Sequence, residues 1–323
     1  SPSSLTALGD WVYFNAYDAT HGYELWRTNG TTTALVEDIR SGADGSGPSG
    51  FTALGDYLYF SANDGINGTE LWRTNGTEAG TTLVKNINTG AGTGSSPEYF
   101  TALGDYLYFQ AYDDTNGVEL WRTNGTTTEL VQDINTANTG TDSSSPSGFT
   151  ALGDWLYFMA DDGTNGAELW RTNGTITNQV FDIYSGAEGS FPNNLTAFGD
   201  WLYFTGSNAA NGQELWRTNG SSTEIVEDIN GIGSFGSDPS GFSALGEWLY
   251  FSADDGSNGY ELWRTNGTST NLVFDINPIG DSSPNYFAAL GEWLYFSAGD
   301  GASGFELWRT NGTTTTSFLL AIF

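Results

Sequence analysis

The heptapeptide Glu-Leu-Trp-Arg-Thr-Asn-Gly occurs seven times in this 323-residue chain, and this repetition constrains the fold more than any other feature. Neighbouring copies start 45 to 49 residues apart. A period of this length is typical of one supersecondary unit per repeat rather than one domain per repeat. The sequence therefore predicts a tandem array of seven copies, whose motifs begin at Glu24, Glu70, Glu119, Glu168, Glu214, Glu261 and Glu306.

Each copy contains four short segments, called a to d here, that are typical of β-strands. In copy six they are Phe242–Glu247, Trp248–Ala253, Gly259–Thr265 and Asn271–Ile276. Runs rich in aromatic and β-branched residues, separated by Gly-Asp, Gly-Glu or Asn-Gly, predict strands joined by hairpins. Seven sets of four antiparallel strands predict an all-β fold, a seven-bladed β-propeller. A β-solenoid is the alternative, but it would need shorter rungs without regular hairpins.

The copies cover almost the whole chain, so we expect a single domain over residues 1–323, although length alone would suggest about two. The first strand of copy one and the last strand of copy seven are both complete in chain order. We therefore expect the first and last blades to close a ring through side-chain packing. The apolar segment Ser317–Phe323 either seals that contact or contacts something beyond the chain. The predicted repeats are approximately 4–48, 49–97, 98–146, 147–192, 193–239, 240–284 and 285–323.

The charge and composition exclude several classes of function. The net charge is -30, from 39 acidic and 9 basic residues. This field repels nucleic acid and anionic lipid, so we expect no nucleic-acid partner. No apolar run is long enough for a membrane helix, so we expect no direct membrane insertion. The absence of cysteine excludes disulfides and thiolate chemistry. With a single histidine, His21, and no residue cluster that breaks the repetition, we expect no catalytic activity.

The motif places an arginine three residues after each repeated glutamate. Positions i and i+3 of a strand lie on opposite faces, so the two side chains cannot easily pair within one strand. We therefore predict that the glutamate of one blade pairs with the arginine of the next blade in a largely buried ion pair. These predicted interblade residues are Glu24, Arg27, Glu70, Arg73, Glu119, Arg122, Glu168, Arg171, Glu214, Arg217, Glu261, Arg264, Glu306 and Arg309.

Aromatic residues recur at two positions of every copy. The motif tryptophan, as in Trp26, is interpreted as interblade core. The residue that opens strand b, as in Trp11, lies at a hairpin edge. It is either core or a platform on which the apolar face of a sugar stacks.

The loop between strands b and c is acidic and contains glycine in most copies. Carboxylates in a glycine-bent loop suit Ca²⁺, which takes about six to eight oxygen ligands. The spacing does not match the 12-residue calcium loop, and copy five has Ser207 and Asn208 instead of acids. Plain turn chemistry is the alternative. The candidate Ca²⁺ ligands are Asp113, Asp114, Asp161, Asp162, Asp254 and Asp255.

The turn between strands c and d carries Asn-Gly-Thr or Asn-Gly-Ser in every copy. This sequence is typical of a two-residue type I′ turn, and it is also an N-glycosylation acceptor. Turn geometry alone explains Asn-Gly, whereas glycosylation requires a secretory source. The candidate glycosylation sites are Asn29, Asn75, Asn124, Asn173, Asn219, Asn266 and Asn311.

The consensus Leu-Gly-Asp-x-Leu-Tyr-Phe, Gly-x-Glu-Leu-Trp-Arg-Thr-Asn-Gly-Thr and Leu-Val-x-Asp-Ile resembles the ELWxTDGT-type repeats of large secreted and cell-surface proteins. These repeats are mostly bacterial and are regarded as β-propeller-forming. The resemblance covers all seven copies, but this chain has Asn where that family usually has Asp. It implies an extracellular or cell-surface location and a binding or adhesive role, and it supplies no catalytic residues.

The sequence therefore predicts a non-enzymatic recognition or adhesion module whose repeated sites bind glycans with avidity. Other extracellular polymers or proteins are further candidate partners. The alternative is a self-assembling building block of a surface layer, sheath or filament. In either case we expect the a–b and c–d hairpins on one face of the disc. The b–c loops and the d-to-a connections then lie on the other, where ligands would be discriminated because those segments vary most.

Overall fold

A computed structural model describes residues 2–90, 92–137 and 142–318, which form seven four-stranded antiparallel sheets with strands in the order a-b-c-d. Each sheet is built from one repeat, as expected for blades of a propeller. Besides strands, the described residues contain one short 3-10 helix, Glu78–Gly80, in the c–d loop of blade two. This architecture confirms the predicted fold class, a seven-bladed β-propeller.

The strands follow the repeats closely. In blades one to four they are Ser3–Leu8, Trp11–Asp18, Gly22–Thr28 and Thr33–Glu37; Ser49–Leu54, Tyr57–Asn63, Thr69–Thr74 and Thr82–Lys85; Glu98–Leu103, Tyr106–Asp113, Gly117–Thr123 and Thr128–Gln132; and Ser147–Leu152, Trp155–Asp161, Ala167–Thr172 and Thr177–Phe181. In blades five to seven they are Asn193–Phe198, Trp201–Asn208, Gly212–Thr218 and Thr223–Glu227; Ser240–Leu245, Trp248–Asp254, Tyr260–Thr265 and Thr270–Phe274; and Asn285–Leu290, Trp293–Gly299, Phe305–Thr310 and Thr315–Phe318.

The chain divides into two compact units, and the division falls within blade four rather than between repeats. The first unit is Ser1–Thr164 with Arg171–Thr177, and the second is Asn165–Trp170 with Asn178–Phe323. The predictions of a single domain and of contact between the first and last blades concern the relation between these units and stay predictions. The predicted last strand is described up to Phe318, and its remaining apolar residues lie outside the described part of the chain.

The two hairpins of each blade have different turns. The a–b turn is a two-residue loop, for example between paired Leu8 and Trp11, with Gly9 at φ 57°. The predicted type I′ turn at Asn-Gly is wrong in blade one, where paired Thr28 and Thr33 enclose a four-residue loop. Asn29 Oδ1 accepts hydrogen bonds from the N–H groups of the two residues that complete this loop, at 3.0 and 2.9 Å. The asparagine side chain therefore holds a wider turn than Asn-Gly alone predicts.

The core lies between successive blades. Tyr13, Leu25 and Val36 of blade one pack against Leu58 and Phe60 of blade two, and all are at most 6% exposed. Blade two thus covers the apolar face of blade one, as expected for a repeat that cannot bury its own core alone. The same arrangement recurs between blades two and three, five and six, and six and seven. No helix among the described residues is long and apolar enough to cross a membrane.

Candidate functional site

The repeated glutamate anchors the connection that follows its own blade. Glu119 is fully buried. It accepts hydrogen bonds from Ser144 Oγ at 2.5 Å, Ser144 N–H at 2.8 Å and Ile134 N–H at 3.1 Å. Equivalent bonds join Glu24 to Ser46 and Glu214 to Ser237. The predicted glutamate–arginine pairing is therefore wrong, because hydroxyl and backbone donors of the connection already satisfy this carboxylate.

The same serine also reaches the next blade. The carbonyl oxygen of Ser144 accepts a hydrogen bond from the N–H of Asp161 in strand b of blade four, at 3.0 Å. The glutamate thus links two blades through this serine. Sequence analysis missed these serines, although each stands two residues before a proline. They are Ser46, Ser95, Ser144, Ser190, Ser237 and Ser282.

Burial raises the pKa of Glu119 and of Glu214 from 4.5 to about 7, against the opposing hydrogen bonds from Ser144 and Ser237. A raised pKa means that the folded state binds a proton more tightly than the unfolded state. The stabilisation is therefore present below pH 4.5 and is lost as the pH rises through 7.

We predict that the free energy of unfolding is larger at pH 5 than at pH 8, by roughly 1–3 kcal/mol for each of these two groups. Urea denaturation at the two pH values and matched ionic strength measures this difference. Glu119→Gln should remove its share of the pH dependence. Equal stability at pH 5 and pH 8 would contradict the raised pKa values and show that the hydrogen bonds to each carboxylate balance its burial.

The repeated arginine stacks on the aromatic residue that opens strand b of its own blade. Arg73 lies opposite Tyr59, so it shares a sheet face with Tyr57 two residues away. Across the seven blades the guanidinium carbon lies 4.1–4.4 Å from the ring centroid. The arginine therefore covers one face of the strand-b ring, and that face is not available for sugar stacking.

The arginine also contacts the next blade, through a turn rather than a glutamate. Arg73 Nη1 donates a hydrogen bond to the carbonyl oxygen of Gly125 at 2.8 Å. A Cβ on Gly125 would lie 2.6 Å from Arg73 Nη1 and closer still to Tyr59 Oη. The glycine of Asn-Gly is thus required for this close approach between blades. The same crowding by the preceding blade occurs at Gly76, Gly174, Gly267 and Gly312.

Two of the arginines do form ion pairs, but within their own blades. Arg122 donates to Glu129 through Nε and Nη2, at 2.8 and 2.6 Å, and Arg217 binds Glu224 in the same way. Glu129 and Glu224 lie opposite these arginines on strand d. Thr82 and Asn271 occupy the corresponding position in blades two and six. The ion pair is therefore a property of particular blades and not of the repeated motif.

The motif tryptophans pack in the core, as predicted, to different extents. Trp121 is 6% exposed and belongs to the cluster between blades two and three. Trp170, Trp216 and Trp308 are each 8% exposed, whereas Trp26 is only half-buried. This confirms a structural interpretation for the buried members.

A polar pocket recurs above the stacked arginine, between two successive blades. The pocket between blades two and three has a volume of about 490 Å³, and Arg73 and Tyr59 form part of its lining. The a–b turns of both blades contribute Asp56 and Asp105, and the c–d turn of blade three contributes Asn124. The two kinds of hairpin therefore share one face, as predicted. We call it the hairpin face.

The same groups line two further pockets. Between blades three and four the volume is about 420 Å³, and between blades six and seven about 530 Å³. Each pocket combines two carboxylates, one arginine, one asparagine and one threonine. The sets are Asp56, Asp105, Arg73, Asn124 and Thr126; Asp105, Asp154, Arg122, Asn173 and Thr175; and Glu247, Glu292, Arg264, Asn311 and Thr313. This is a matched set of hydrogen-bond donors and acceptors in a site of small-molecule size.

The candidate glycosylation sites lie in these turns, and all seven asparagines are exposed. Asn124 Oδ1 accepts hydrogen bonds from the N–H groups of Thr126 and Thr127, at 2.9 and 2.8 Å. The side chain therefore has a structural role in the turn whether or not it is modified. N-glycosylation of these asparagines stays a prediction.

The candidate Ca²⁺ ligands lie in the b–c loops, where several carboxylates accept backbone hydrogen bonds. Asp255 Oδ1 accepts from Ser257 and Asn258, and Asp113 Oδ1 from Thr115 and Asn116. Asp161 Oδ1 accepts from the N–H of Gly163. These hydrogen bonds stabilise the turns of the b–c loops, as the alternative interpretation predicted. Within the described residues, no group of three or more His, Cys, Asp or Glu side chains is placed to hold a metal ion.

Calcium binding at Asp161, Asp162, Asp254 and Asp255 remains a testable prediction. Millimolar Ca²⁺ acting on a ~0.1 mM site would add about 1.4 kcal/mol per site, through preferential binding to the folded state. Melting curves with Ca²⁺ and with EDTA at constant ionic strength measure this gain. An unchanged melting temperature would leave these acids as turn residues.

No protein-family model matches the chain, and no curated protein matches it either. Solved structures resemble it in fold. The computationally designed Ika8 protein is 12% identical with a TM-score of 0.50, over 98% of this chain and 86% of that chain. A structure from work on two prolyl endopeptidases is 11% identical with a TM-score of 0.52, over 98% of this chain and 49% of that chain. This chain thus spans about half the length of that protein.

The β-propeller domain of the Trilobed protease from Pyrococcus furiosus is 10% identical with a TM-score of 0.48, over 98% of this chain and 96% of that domain. At such identities these likenesses concern the fold alone.

Proposed function

We propose that this protein is a non-enzymatic recognition module, outside the cell or at its surface, which binds glycans through the pocket repeated on the hairpin face. The observation that carries this proposal is the recurrence of the same polar groups in pockets of both compact units. Interblade packing explains the arginine and the glycine of the motif. It does not explain the carboxylates of the a–b turns, such as Asp105 and Glu292, which are exposed.

The donor and acceptor set suits sugar hydroxyl groups, which both donate and accept hydrogen bonds. The two carboxylates of a pocket accept from hydroxyl groups, and the asparagine and threonine side chains can donate to them. Arg264, which has no strand-d carboxylate opposite it, adds charged donors to the pocket between blades six and seven. Because the arginine covers one face of the strand-b ring, the proposed recognition rests chiefly on hydrogen bonds.

The pockets support multivalent binding. Asp105 lines two pockets of the first unit, so these two pockets are adjacent. A polymeric or branched glycan that fills both gains avidity, which raises affinity by ~10²–10⁴ when the spacing fits. The resemblance to ELWxTDGT-type repeats supports an extracellular or cell-surface setting for such a ligand.

A glycan array tests the proposal when the protein is compared with the double variant Asp105→Asn, Glu292→Gln. The two substitutions remove one carboxylate from each of the three pockets while leaving side-chain size unchanged. We expect specific glycans to bind the native protein and to lose at least about tenfold in affinity for the variant. Glu188→Gln is the matched control, because Glu188 is an exposed acid in the connection after blade four.

The proposal fails if no glycan binds, or if the double variant and the control bind equally well. Electron microscopy of the same sample then decides whether the protein assembles into sheets or filaments. Ordered assembly without glycan binding would favour the structural building block.

A further inference from the structure

A pocket of a different kind lies where the connection after blade five meets the b–c loop of blade six. Its volume is about 620 Å³, and its lining includes Asn230, Ile232, Phe235, Asp238 and Asp254. A connection and a b–c loop thus share this pocket, as predicted for the face opposite the hairpins. We call it the connection face. Each hairpin-face pocket contains an arginine. The lining that the structure describes for this pocket has two aspartates and no basic side chain.

This pocket breaks the repetition of the chain. Each of the six connections contains Ser-x-Pro, and only the connection after blade five has an acid at x, which is Asp238. The equivalent residues in the other connections are Gly47, Ser96, Ser145, Phe191 and Ser283. All six residues at this position have positive φ, which aspartate tolerates, but the fold does not require an acid there.

The two carboxylates each keep one oxygen for a ligand. Asp238 Oδ2 accepts a hydrogen bond from Tyr260 Oη at 3.0 Å, and Asp254 Oδ1 accepts from Gly256 N–H at 2.7 Å. Asp238 Oδ1 and Asp254 Oδ2 have no hydrogen-bond partner among the residues that the structure describes. Burial, the hydrogen bond to Asp238 and the nearby charges of Asp238, Asp254 and Asp281 raise the pKa of Tyr260 to about 12. The pocket is thus strongly electronegative.

The pocket also contains a buried hydrogen-bond acceptor without a described partner, the side-chain oxygen of Asn230. Asn230 is 5% exposed, and its Nδ2 donates to the carbonyl oxygen of Gly236 at 3.3 Å. Its Oδ1 has no hydrogen-bond partner among the described residues. It lies against Gly256, where a Cβ would come within 2.7 Å of it and within 2.9 Å of Ile232 Cδ1. In blade six the equivalent Asn277 Oδ1 does accept a hydrogen bond, from Ile279 N–H at 3.4 Å.

We infer that this pocket binds a protonated primary amine on an apolar stem, such as the side chain of a lysine. An ammonium group carries three donors and one positive charge, which match the free oxygens of Asp238 and Asp254 and the unpaired Oδ1 of Asn230. Phe235 and Ile232 are 71% and 55% exposed and can cover the stem. An anion would be repelled here, and a neutral hydroxyl would lack the charge.

Calorimetric titration with N-acetyl-lysine-methylamide tests the inference, and N-acetyl-norleucine-methylamide is the uncharged control ligand of similar length. We expect one-to-one binding of the lysine probe and at least about tenfold weaker binding of the norleucine probe. Asp238→Asn should weaken binding of the lysine probe at least about tenfold. Phe235→Ala, which truncates a side chain that is 71% exposed, should weaken binding of both probes several-fold. Glu188→Gln removes the same charge from another connection and should change nothing.

Equal affinity for the two probes, or affinity unaffected by Asp238→Asn, would overturn the inference. A third arm separates the amine from a metal ion. If Ca²⁺ alone binds one-to-one, loses its site in Asp238→Asn, and is not displaced by the lysine probe, the pocket is a metal site and the inference is wrong.

Discussion

Replacing Glu119 with alanine is expected to lower the free energy of unfolding by about 3–5 kcal/mol at pH 8. The substitution leaves the Ser144 hydroxyl, Ser144 N–H and Ile134 N–H without an acceptor, in a site where Glu119 itself is fully buried. Each buried donor without a partner costs about 1–3 kcal/mol. Relief of the buried charge offsets part of this sum. Urea denaturation followed by tryptophan fluorescence measures the loss.

Glu306→Ala is the matched control, because Glu306 occupies the same position of the motif in copy seven but is only half-buried. Its substitution should cost less than about 1 kcal/mol. Similar losses for the two variants would mean that the carboxylate, and not its bonds to the following connection, determines the stability.

Gly125→Ala is expected to destabilise the protein by about 2–5 kcal/mol. Gly125 has φ +83°, where an alanine costs roughly 1–2 kcal/mol from backbone strain alone. The new Cβ would also meet Tyr59 Oη and Arg73 Nη1. Tyr59 is 2% exposed and cannot move aside, so overpacking adds about 1–3 kcal/mol.

Gly30→Ala measures the cost of backbone strain alone. Gly30 also has φ +83°, but a Cβ there would meet no described atom within 4 Å. We expect it to cost about 1–2 kcal/mol. The difference between the two variants in thermal denaturation is the contribution of the interblade contact. Equal destabilisation would show that the glycine serves the turn and not the packing of one blade on the next.

The strands could be predicted from the sequence because every copy repeats the same alternation of aromatic runs and turn residues. The strands of blade six begin and end within two residues of the predicted segments. Strand d ends at Phe274 because the next residues leave the ladder, and Ile276 N–H binds Glu261 Oε2 at 2.9 Å. Local propensity does not contain this tertiary contact, so the sequence predicted a longer strand.

The partners of the repeated charges could not be predicted in the same way. The offset between Glu119 and Arg122 shows that they face opposite sides of a strand, but it does not show what each side meets. The glutamate meets Ser144, and the arginine stacks on Tyr106. Ser-x-Pro in six connections was the available signal for the serine.

The pockets could not be predicted from the sequence either, because each is assembled from turns of two blades. Asp56 and Asn124 are far apart in the chain and meet only when blade two packs on blade three. The repeat predicted that the a–b and c–d turns share a face, and this is confirmed where both kinds of turn line one pocket. It could not predict that the a–b acids and the stacked arginine enclose one cavity. The sequence placed ligand discrimination on the connection face, and that placement stays a prediction.

The stoichiometry of glycan binding tests the central claim most directly. Asp105 lines two neighbouring pockets, so Asp105→Asn should remove or weaken two sites at once while leaving the site at Glu247 and Glu292 intact. Calorimetric titration with the best monovalent glycan from the array should therefore give two fewer sites for the variant than for the native protein, and an unchanged number for Glu188→Gln. The same number of sites in all three proteins would contradict the claim that the hairpin-face pockets bind the ligand.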